Sequence, residues 1–327
     1  MTVADVALRV ARTADVPAML ALIHEAFAAR EPLDPPAEAL RDTAEDVEAA
    51  LAVPGFGVIA EIDGAMAGCL LVRHLDPAAG ANPPSARAFL RRVAVRPDLR
   101  HLGVAALMVR QTAFALADEG VRHLELLARP ELPRLVAWWG MHGFAVERTV
   151  PHGLIMGIAL PRPVAVATAE DMRALGRRLA ARLRPGDLLV ANGELGAGKT
   201  TLAQGLAEGL RVDRPVLSPT FVLARQHPSL VGGPALVHVD AYRLGSAAEL
   251  DDLDLDATAE EAVTYVEWGA GLAEHLAPSR LDIEIARADD PDDATRTVYV
   301  TGLGPRWAGI DLALAGEATE EGAHGTH

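Results

Sequence analysis

Lysine is nearly absent from this chain of 327 residues: Lys199 stands alone, and every other fixed positive charge is arginine. Cysteine is equally scarce. Because Cys69 has no second cysteine to pair with, an intramolecular disulfide and a cysteine metal site are excluded. Cys69 lies in the apolar run 66–72, which predicts a buried core position rather than a nucleophile. Aromatic residues make up 4% of the chain, so Ala, Leu and Val must fill the interior.

The chain also lacks a hydrophobic run long enough for a signal peptide or a membrane span, and we therefore expect a cytoplasmic protein. The formal net charge is −15. Residues 1–160 contribute −4, from 15 Arg against 19 acids, and residues 161–327 contribute −11, from 15 basic residues against 26 acids. Because neutralised phosphates supply most non-specific affinity for nucleic acid, the second half should not hold RNA alone. A role linked to RNA would need a partner with a basic surface.

The length predicts two domains. Leu160-Pro161-Arg162-Pro163 is typical of a linker, since proline removes backbone donors and favours extended chain. Strands alternate with helices, which indicates an α/β protein. We expect a first domain over 1–160, a linker over 161–163, a second domain over 164–316 and a disordered tail over 317–327.

Local signals predict individual elements. A strand over 9–14 leads to Asp15, a predicted N-cap for an amphipathic helix over 16–27. Asp63-Gly64 is the turn of a predicted hairpin. In the second half, a strand over 187–192 precedes a helix over 201–210, and further strands are predicted at 235–240, 262–267, 281–286 and 297–301.

A phosphate-binding loop is predicted between that strand and that helix, because Gly193-Glu194-Leu195-Gly196-Ala197-Gly198-Lys199-Thr200 matches G-x-x-x-x-G-K-[S/T]. Backbone N–H groups of residues 195–200 would cradle phosphates, and the helix dipole would add to the attraction. Lys199 would reach the β- and γ-phosphates as a compact charge, where a guanidinium would be bulky. The Thr200 hydroxyl would join a Mg²⁺ shell.

A phosphate loop also needs a carboxylate to hold Mg²⁺ or to orient water, and two acids end predicted strands. Asp240 follows Leu236-Val237-His238-Val239, and Glu267 follows Val263-Thr264-Tyr265-Val266. An acid after a mostly apolar strand is the arrangement of a Walker B motif. Each acid alone could be an ordinary strand-end residue. As a pair beside a phosphate loop, both are predicted site residues.

Four strings in this order resemble the TsaE family, the ATPase subunit of the bacterial system that makes threonylcarbamoyladenosine in tRNA. They are Gly193–Thr201, Ser218-Pro219-Thr220-Phe221, Val239-Asp240-Ala241-Tyr242-Arg243-Leu244 with Glu249-Leu250, and Val266-Glu267-Trp268. The resemblance covers about residues 164–300 and implies a P-loop NTPase-like α/β domain. Glu194 departs from the family's usual Asp but keeps the charge.

The resemblance implies an ATPase that works inside a complex, with ATP and Mg²⁺ as cofactors. The implied partners are the threonylcarbamoyltransferase subunit and its paralogue, with tRNA met only through that complex. Lys199, Asp240 and Glu267 would be catalytic, and Thr200 and Glu267 would bind the metal. The implied ATP site comprises Leu195, Gly196, Ala197, Gly198, Lys199, Thr200, Thr201, Thr220 and Arg296. Trp268 would pack near the nucleotide or a partner, or in the core. A nucleotide-gated scaffold with negligible turnover is the alternative.

In the first half, Arg100-His101-Leu102-Gly103-Val104-Ala105 follows a predicted strand and opens a helix. The pattern R-x-x-G-x-A at this junction resembles the acyl-CoA loop of GNAT acetyltransferases, and residues 138–144 resemble that family's ending. The resemblance covers roughly residues 6–160 and implies an α+β domain with a mixed sheet and acetyl-CoA as cofactor. Backbone amides at the helix start would meet the pyrophosphate, and the strand would offer free backbone groups to the pantetheine arm. The implied acyl-CoA site comprises Val93, Val95, Arg100, His101, Gly103, Val104 and Ala105.

The chemistry of the first half has two interpretations. Trp139 stands where the family often has a tyrosine general acid, and an indole N–H is not a comparable proton donor. Glu61 and His142 are the candidate general bases. The domain either transfers an acetyl group to an acceptor that the sequence does not name, or binds acyl-CoA as a sensor with little catalysis.

Overall fold

The computed structural model describes residues 6–52, 55–75, 87–213, 215–219, 223–255, 260–288, 290, 293–307, 310, 312 and 314. The chain divides into two compact units, residues 1–162 and 163–327. Thr220 and the expected tail over 317–327 lie outside the described residues. Among the helices that are described, none combines the length and the apolar character needed to cross a membrane.

The first unit is a seven-stranded mixed sheet with the order β1-β2-β3-β4-β5-β7-β6, in which only the β4–β5 pair is parallel. Helices α1 and α2 share a core with one face, and α3 and α4 share a core with the other. Cys69 is fully buried in the first of these cores, as expected, and burial raises the pKa of its thiol to about 12. The elements are β1 (Val6–Val10), α1 (Val16–Ala28), α2 (Ala44–Leu51), β2 (Gly55–Ile62), β3 (Ala65–His74), β4 (Arg87–Val95), α3 (Val104–Asp118), β5 (His123–Ala128), α4 (Pro133–Met141), β6 (Ala145–Val150) and β7 (Gly153–Ala159).

The start of the chain differs from the prediction. The strand is Val6–Val10 rather than 9–14, because Thr13–Asp15 form a short 3₁₀ turn. Asp15 is not a side-chain N-cap of α1: its carboxylate accepts the Arg12 N–H at 2.7 Å and pairs with Arg9 at 2.7 Å. The Arg9 guanidinium lowers the pKa of Asp15 to about 2. The hairpin turn is confirmed, with positive φ at Asp63 (51°) and Gly64 (76°).

Strands β4 and β5 separate toward their carboxyl ends. Their pairing covers Arg87 to Leu90 with His123 to Leu126. Beyond it, β4 carries a bulge against β3, where Arg92 adopts a positive φ of 52°. Two parallel hydrogen bonds of 2.6 and 2.8 Å to Asp42 hold Arg92 in this conformation. The separation opens a cleft in the sheet.

The second unit is also a seven-stranded sheet, with the order β10-β11-β12-β9-β13-β14-β8. The four strands β11, β12, β9 and β13 are parallel, and the outer pairs are antiparallel. The predicted strands 235–240 and 262–267 are confirmed as β11 and β12. The elements are β8 (Val164–Val166), α5 (Ala169–Ala180), β9 (Leu188–Gly193), α6 (Lys199–Leu210), β10 (Ala224–His227), β11 (Ala235–Asp240), α7 (Ala247–Asp251), β12 (Ala262–Glu267), β13 (Arg280–Arg287) and β14 (Arg296–Leu303).

Helices α5 and α6 pack against each other on one face of this sheet and share a core with it. Glycines at the crossing allow backbone to meet backbone. A Cβ at Gly176 would lie 2.6 Å from the Leu202 carbonyl oxygen, and one at Gly205 would overlap the backbone of Arg173. This close approach helps to set the position of α6 and of the loop that precedes it.

We predict that Gly205→Ala destabilises the second unit by about 1–3 kcal/mol, because the added methyl would strike backbone that cannot rotate away. Calorimetric unfolding measures the change. Gly140→Ala is the matched control: Gly140 also lies in a helix, but a Cβ there meets nothing within 4 Å. Equal effects of the two substitutions would contradict the packing explanation.

Candidate functional site

The loop after β9 depends on glycine. Gly193 has a φ of 137°, and a Cβ there would lie 2.5 Å from the Ile285 carbonyl oxygen. Gly196 and Gly198 also have positive φ, of 76° and 115°. These values favour glycine at each position, since L side chains rarely adopt them. The loop turns tightly and leads directly into α6, which begins at Lys199.

Backbone N–H groups converge where the loop joins α6. The first helical bond runs from the Leu202 N–H to the Gly198 carbonyl at 2.9 Å. The N–H groups of residues 199–201 therefore have no partner within the helix and give this end a positive potential. The Ala197 N–H, which the sequence assigned to the phosphate cradle, bonds to the Glu194 carbonyl at 3.1 Å. Leu195 forms the exposed tip of the loop.

Lys199 folds back over its own loop. Its Nζ donates to the carbonyls of Gly193 at 2.6 Å and Glu194 at 2.9 Å, and lies 3.6 Å from the centre of the Trp268 ring. The side chain is buried, with 4% exposure, and burial lowers the pKa of the ammonium against the opposing effect of Glu267 and Asp240. The direct hydrogen-bond partners of this buried cation are neutral carbonyls, which an anion such as a phosphate would replace.

The two predicted carboxylates end adjacent strands, and Asp240 and Glu267 are register partners. The Thr200 hydroxyl donates to Glu267 Oε1 at 2.9 Å. Asp240 accepts from the Ser218 hydroxyl and from the Tyr242 N–H, both at 3.1 Å. Hard oxygen donors of this kind, a hydroxyl and two carboxylates beside a phosphate loop, fit Mg²⁺.

Three further residues hold this site, and the sequence analysis missed them. His238 Nε2 lies 2.8 Å from Glu267 Oε1, the buried Tyr265 hydroxyl donates to the Lys199 carbonyl at 2.8 Å, and Arg287 donates to the Leu195 carbonyl at 2.7 Å. A signal existed for His238, since it stands two residues before Asp240 in a strand and so shares its face. Nothing in the sequence pattern indicated Arg287, because its contact with the loop depends on the order of the strands in the sheet.

Arg296 is placed differently from the expectation. It is the register partner of Arg287 across β13 and β14. Its guanidinium donates to the carbonyls of Ala294 at 2.6 Å and Thr295 at 3.1 Å, within its own strand connection. Among the described contacts, Arg287 and not Arg296 reaches the loop. Thr201 lies in the first turn of α6, as the pattern requires.

A cleft of about 1240 Å³ lies in the first unit where β4 and β5 separate. Five of the seven predicted acyl-CoA residues line it: Val93, Val95, Arg100, Gly103 and Ala105. The other two do not. Val104 is fully buried in the core because it faces the sheet, and His101 is exposed in the 3₁₀ turn before α3. The cleft therefore joins the start of α3 to the open edge of β4.

Two arginines from different elements meet in this cleft. Arg100 donates to the Ala26 carbonyl at 2.7 Å, and Arg30 donates to the Val93 carbonyl at 3.1 Å. The Val93 carbonyl, which was expected to be free, thus already has one partner. Burial, together with the charge of Arg100, lowers the pKa of Arg30 to about 10. Since both guanidinium groups bind neutral carbonyls, they leave positive charge for an anionic ligand.

Trp139, at the position where a tyrosine acid was expected, and the two candidate bases of the first unit differ in whether they line the cleft. Trp139 lines the cleft. Glu61 pairs with Arg9 at 2.8 Å, and His142 Nδ1 lies 2.8 Å from the Trp138 carbonyl oxygen; neither lines the cleft. Three residues with a carboxylate or imidazole group that the sequence analysis missed do line it: Glu31, Glu38 and His152.

Comparison with known proteins gives two family matches. A model described as threonylcarbamoyl adenosine biosynthesis protein TsaE matches residues 166–298, and one described as acetyltransferase (GNAT) family matches residues 17–144. The tRNA threonylcarbamoyladenosine biosynthesis protein TsaE of Streptomyces coelicolor is 60% identical over 145 residues, which are 44% of this chain and 98% of that protein.

Solved structures match each half separately. The crystal structure of Bacillus subtilis YdiB is 35% identical with a TM-score of 0.37, and the match covers 44% of this chain and 87% of that one. The PaiA N-acetyltransferase from Thermoplasma acidophilum, in complex with coenzyme A, is 14% identical with a TM-score of 0.40, and covers 46% of this chain and 97% of that one.

We predict that ATP changes the fluorescence of Trp268, because a phosphate would draw the Lys199 ammonium away from the indole ring. Titration with ATP measures the change. Trp268→Phe should remove the signal while calorimetry still detects binding, and Lys199→Ala should remove both. A fluorescence change of full size in Trp268→Phe would assign the signal to another of the four tryptophans.

Proposed function

Because the chain belongs to the TsaE family in its second half and to the GNAT acetyltransferase family in its first, we propose that it is the ATPase subunit of a tRNA-modifying complex, fused to an acetyltransferase. Membership of tRNA threonylcarbamoyladenosine biosynthesis rests on the family itself. Hydrolysis, acetyl transfer and the partners are the proposal. We place the protein in the cytoplasm, with the tRNA that the complex would modify.

One observation carries the ATPase assignment: the contact of 2.9 Å between the Thr200 hydroxyl and Glu267 Oε1. It joins the first turn of α6 to the end of β12, so the loop and a carboxylate form one site. Mg²⁺, when bound, would neutralise phosphate charge and polarise the γ-phosphorus. Thr200 and Glu267 are the residues that would hold it.

The other residues divide the remaining roles. Lys199 would exchange its two carbonyl partners for phosphate oxygens, and its move would free the face of Trp268. Asp240, held at both oxygens by Ser218 and Tyr242, would orient the attacking water. The N–H groups of residues 199–201 would face the phosphates.

The partners follow from charge and family. The second half carries a net charge of −11, so tRNA would be held by another subunit. We propose the threonylcarbamoyltransferase subunit and its paralogue as the partners, with tRNA met only through them. A pull-down from native lysate with and without ATP, read by mass spectrometry, tests this proposal. Absence of both subunits from the ATP sample would contradict it.

The first half would use acetyl-CoA in the cleft between β4 and β5. The start of α3 and the guanidinium groups of Arg30 and Arg100 provide positive potential for the phosphates. Glu31, Glu38 and His152 are the ionisable groups in the cleft that could take a proton from an amine acceptor.

A sensor that binds acyl-CoA without transfer is the second candidate for this half. It is favoured by Trp139, whose indole N–H cannot protonate a leaving thiolate, and by the positions of Glu61 and His142 outside the cleft lining. An acetylation assay on candidate amines separates the two. Binding of acetyl-CoA without transfer to any amine favours the sensor.

We predict that Glu267→Gln lowers ATP hydrolysis in the complex by about 10²-fold, because a neutral amide holds a divalent cation poorly. Phosphate release by the reconstituted complex measures the rate. Glu261→Gln, an exposed acid just before β12, is the control and should leave the rate unchanged. Hydrolysis at the wild-type rate in Glu267→Gln would remove this residue from the mechanism. Wild-type complex that binds ATP without hydrolysing it would support a nucleotide-gated scaffold instead.

We predict that Ala105→Glu weakens acetyl-CoA binding at least ~10-fold, since a carboxylate at the start of α3 would repel phosphate. Calorimetry on the full chain measures the affinity. Ala115→Glu, at an exposed position later in the same helix, is the matched control. If the wild type shows no heat of binding with acetyl-CoA while ATP binds, both the transferase and the sensor are wrong.

A further inference from the structure

His238 is a fully buried, ionisable residue that the proposed mechanism does not use. It lies in the middle of β11, between Val237 and Val239, and has 0% exposure. Its Nε2 lies 2.8 Å from Glu267 Oε1. The same carboxylate oxygen accepts the Thr200 hydroxyl at 2.9 Å. Two elements, β11 and α6, therefore meet at a single oxygen at the end of β12.

The protonated nitrogen of His238 can be assigned from its surroundings. Nδ1 is buried and has no hydrogen-bond partner among the described residues. A proton there would be an unsatisfied donor in the interior, which is costly. A proton on Nε2 instead faces a carboxylate and makes a charge-assisted bond. The arrangement therefore favours the tautomer in which Nε2 donates to Glu267.

We propose that His238 is a positioning residue that holds the Glu267 carboxylate in the orientation needed for the metal. The inference rests on the proposed function, in which Glu267 and Thr200 bind Mg²⁺. A carboxylate held by a rigid, buried donor keeps one rotamer, so less conformational freedom is lost when a cation binds. His238 itself touches neither nucleotide nor cation.

The alternative role for a buried histidine is packing alone. The ring does contact the core, with its centre 5.6 Å from that of Tyr265. Two substitutions at this position distinguish a positioning role from a packing role. His238→Gln keeps an N–H donor of similar reach, whereas His238→Phe keeps the ring volume and removes the donor. A positioning role requires that Gln restores what Phe loses, and a packing role predicts the reverse.

The experiment measures ADP binding to the full chain by calorimetry, in EDTA and across a Mg²⁺ titration. For His238→Phe we expect the apparent Mg²⁺ affinity to fall about 10–100-fold, with Mg²⁺-free ADP binding unchanged. His238→Gln should lie close to wild type. His227→Phe is the matched control, because His227, at the end of the neighbouring strand β10, is also buried but bonds to the Asp213 carbonyl. Unchanged Mg²⁺ affinity in His238→Phe, or equal losses in Phe and Gln, would overturn the proposal.

A measurement on the unmodified protein covers the case in which His238→Phe does not fold. Long-range ¹⁵N–¹H NMR of the imidazoles, assigned with His238→Gln, should show a protonated Nε2 and a bare Nδ1. A bare Nε2 would overturn the proposal, because His238 could then not donate to Glu267. Failure of the proposed function would give a different result. The wild-type protein would then bind no ADP at all, which would contradict the nucleotide site itself and not only the role of His238.

Discussion

The parallel pairing of β9 with β12, and of β12 with β11, is the constraint on which the proposed nucleotide site depends. Parallel strands end at the same edge of a sheet, so the loop after β9 and the acids that end β11 and β12 converge. The register places Asp240 beside Glu267, and Glu267 beside Ala191 just before the loop. A strand order that moved β12 away from β9 would separate the loop from Glu267, and Thr200 could not reach that carboxylate.

Packing between α5 and α6 then fixes the position of the start of α6 relative to the sheet. Gly176 and Gly205 let the backbones of α5 and α6 meet, which aligns the helix start with the strand edge. The first unit also places a helix N terminus after a strand, but it forms its cleft by separating β4 from β5. Arg92 and Asp42 hold the bulge that accompanies this separation. The two proposed anion sites are thus built by different means, one with a glycine loop and lysine, the other with arginine and an open sheet.

The proposed nucleotide site can bury charge because its members compensate one another. Lys199, Asp240 and Glu267 are each less than 5% exposed, and each carries hydrogen bonds that offset the loss of water. Removing one partner would leave the others uncompensated, so these residues act as a unit. His238 extends this unit into the core. Its effect on Glu267 comes from a bond between two strands that are adjacent in the sheet but distant in the chain.

The sequence by itself determined the local elements of the proposed sites, and it predicted which residues would carry their chemistry. The loop motif, the acids after apolar strands and the hairpin at Asp63-Gly64 depend on local spacing, and the predicted strands around them agree with the structure. The local patterns failed at two positions: Arg9 and the Arg12 N–H bond to the Asp15 carboxylate, which therefore does not cap α1, and strand order places Arg287, rather than the predicted Arg296, against the loop. Only the tertiary structure decided that His238 contacts Glu267, that Arg30 reaches Val93, and that Glu61 and His142 lie outside the cleft lining. Each of these outcomes depends on which strands and helices are neighbours, and contacts between distant parts of the chain determine those neighbours.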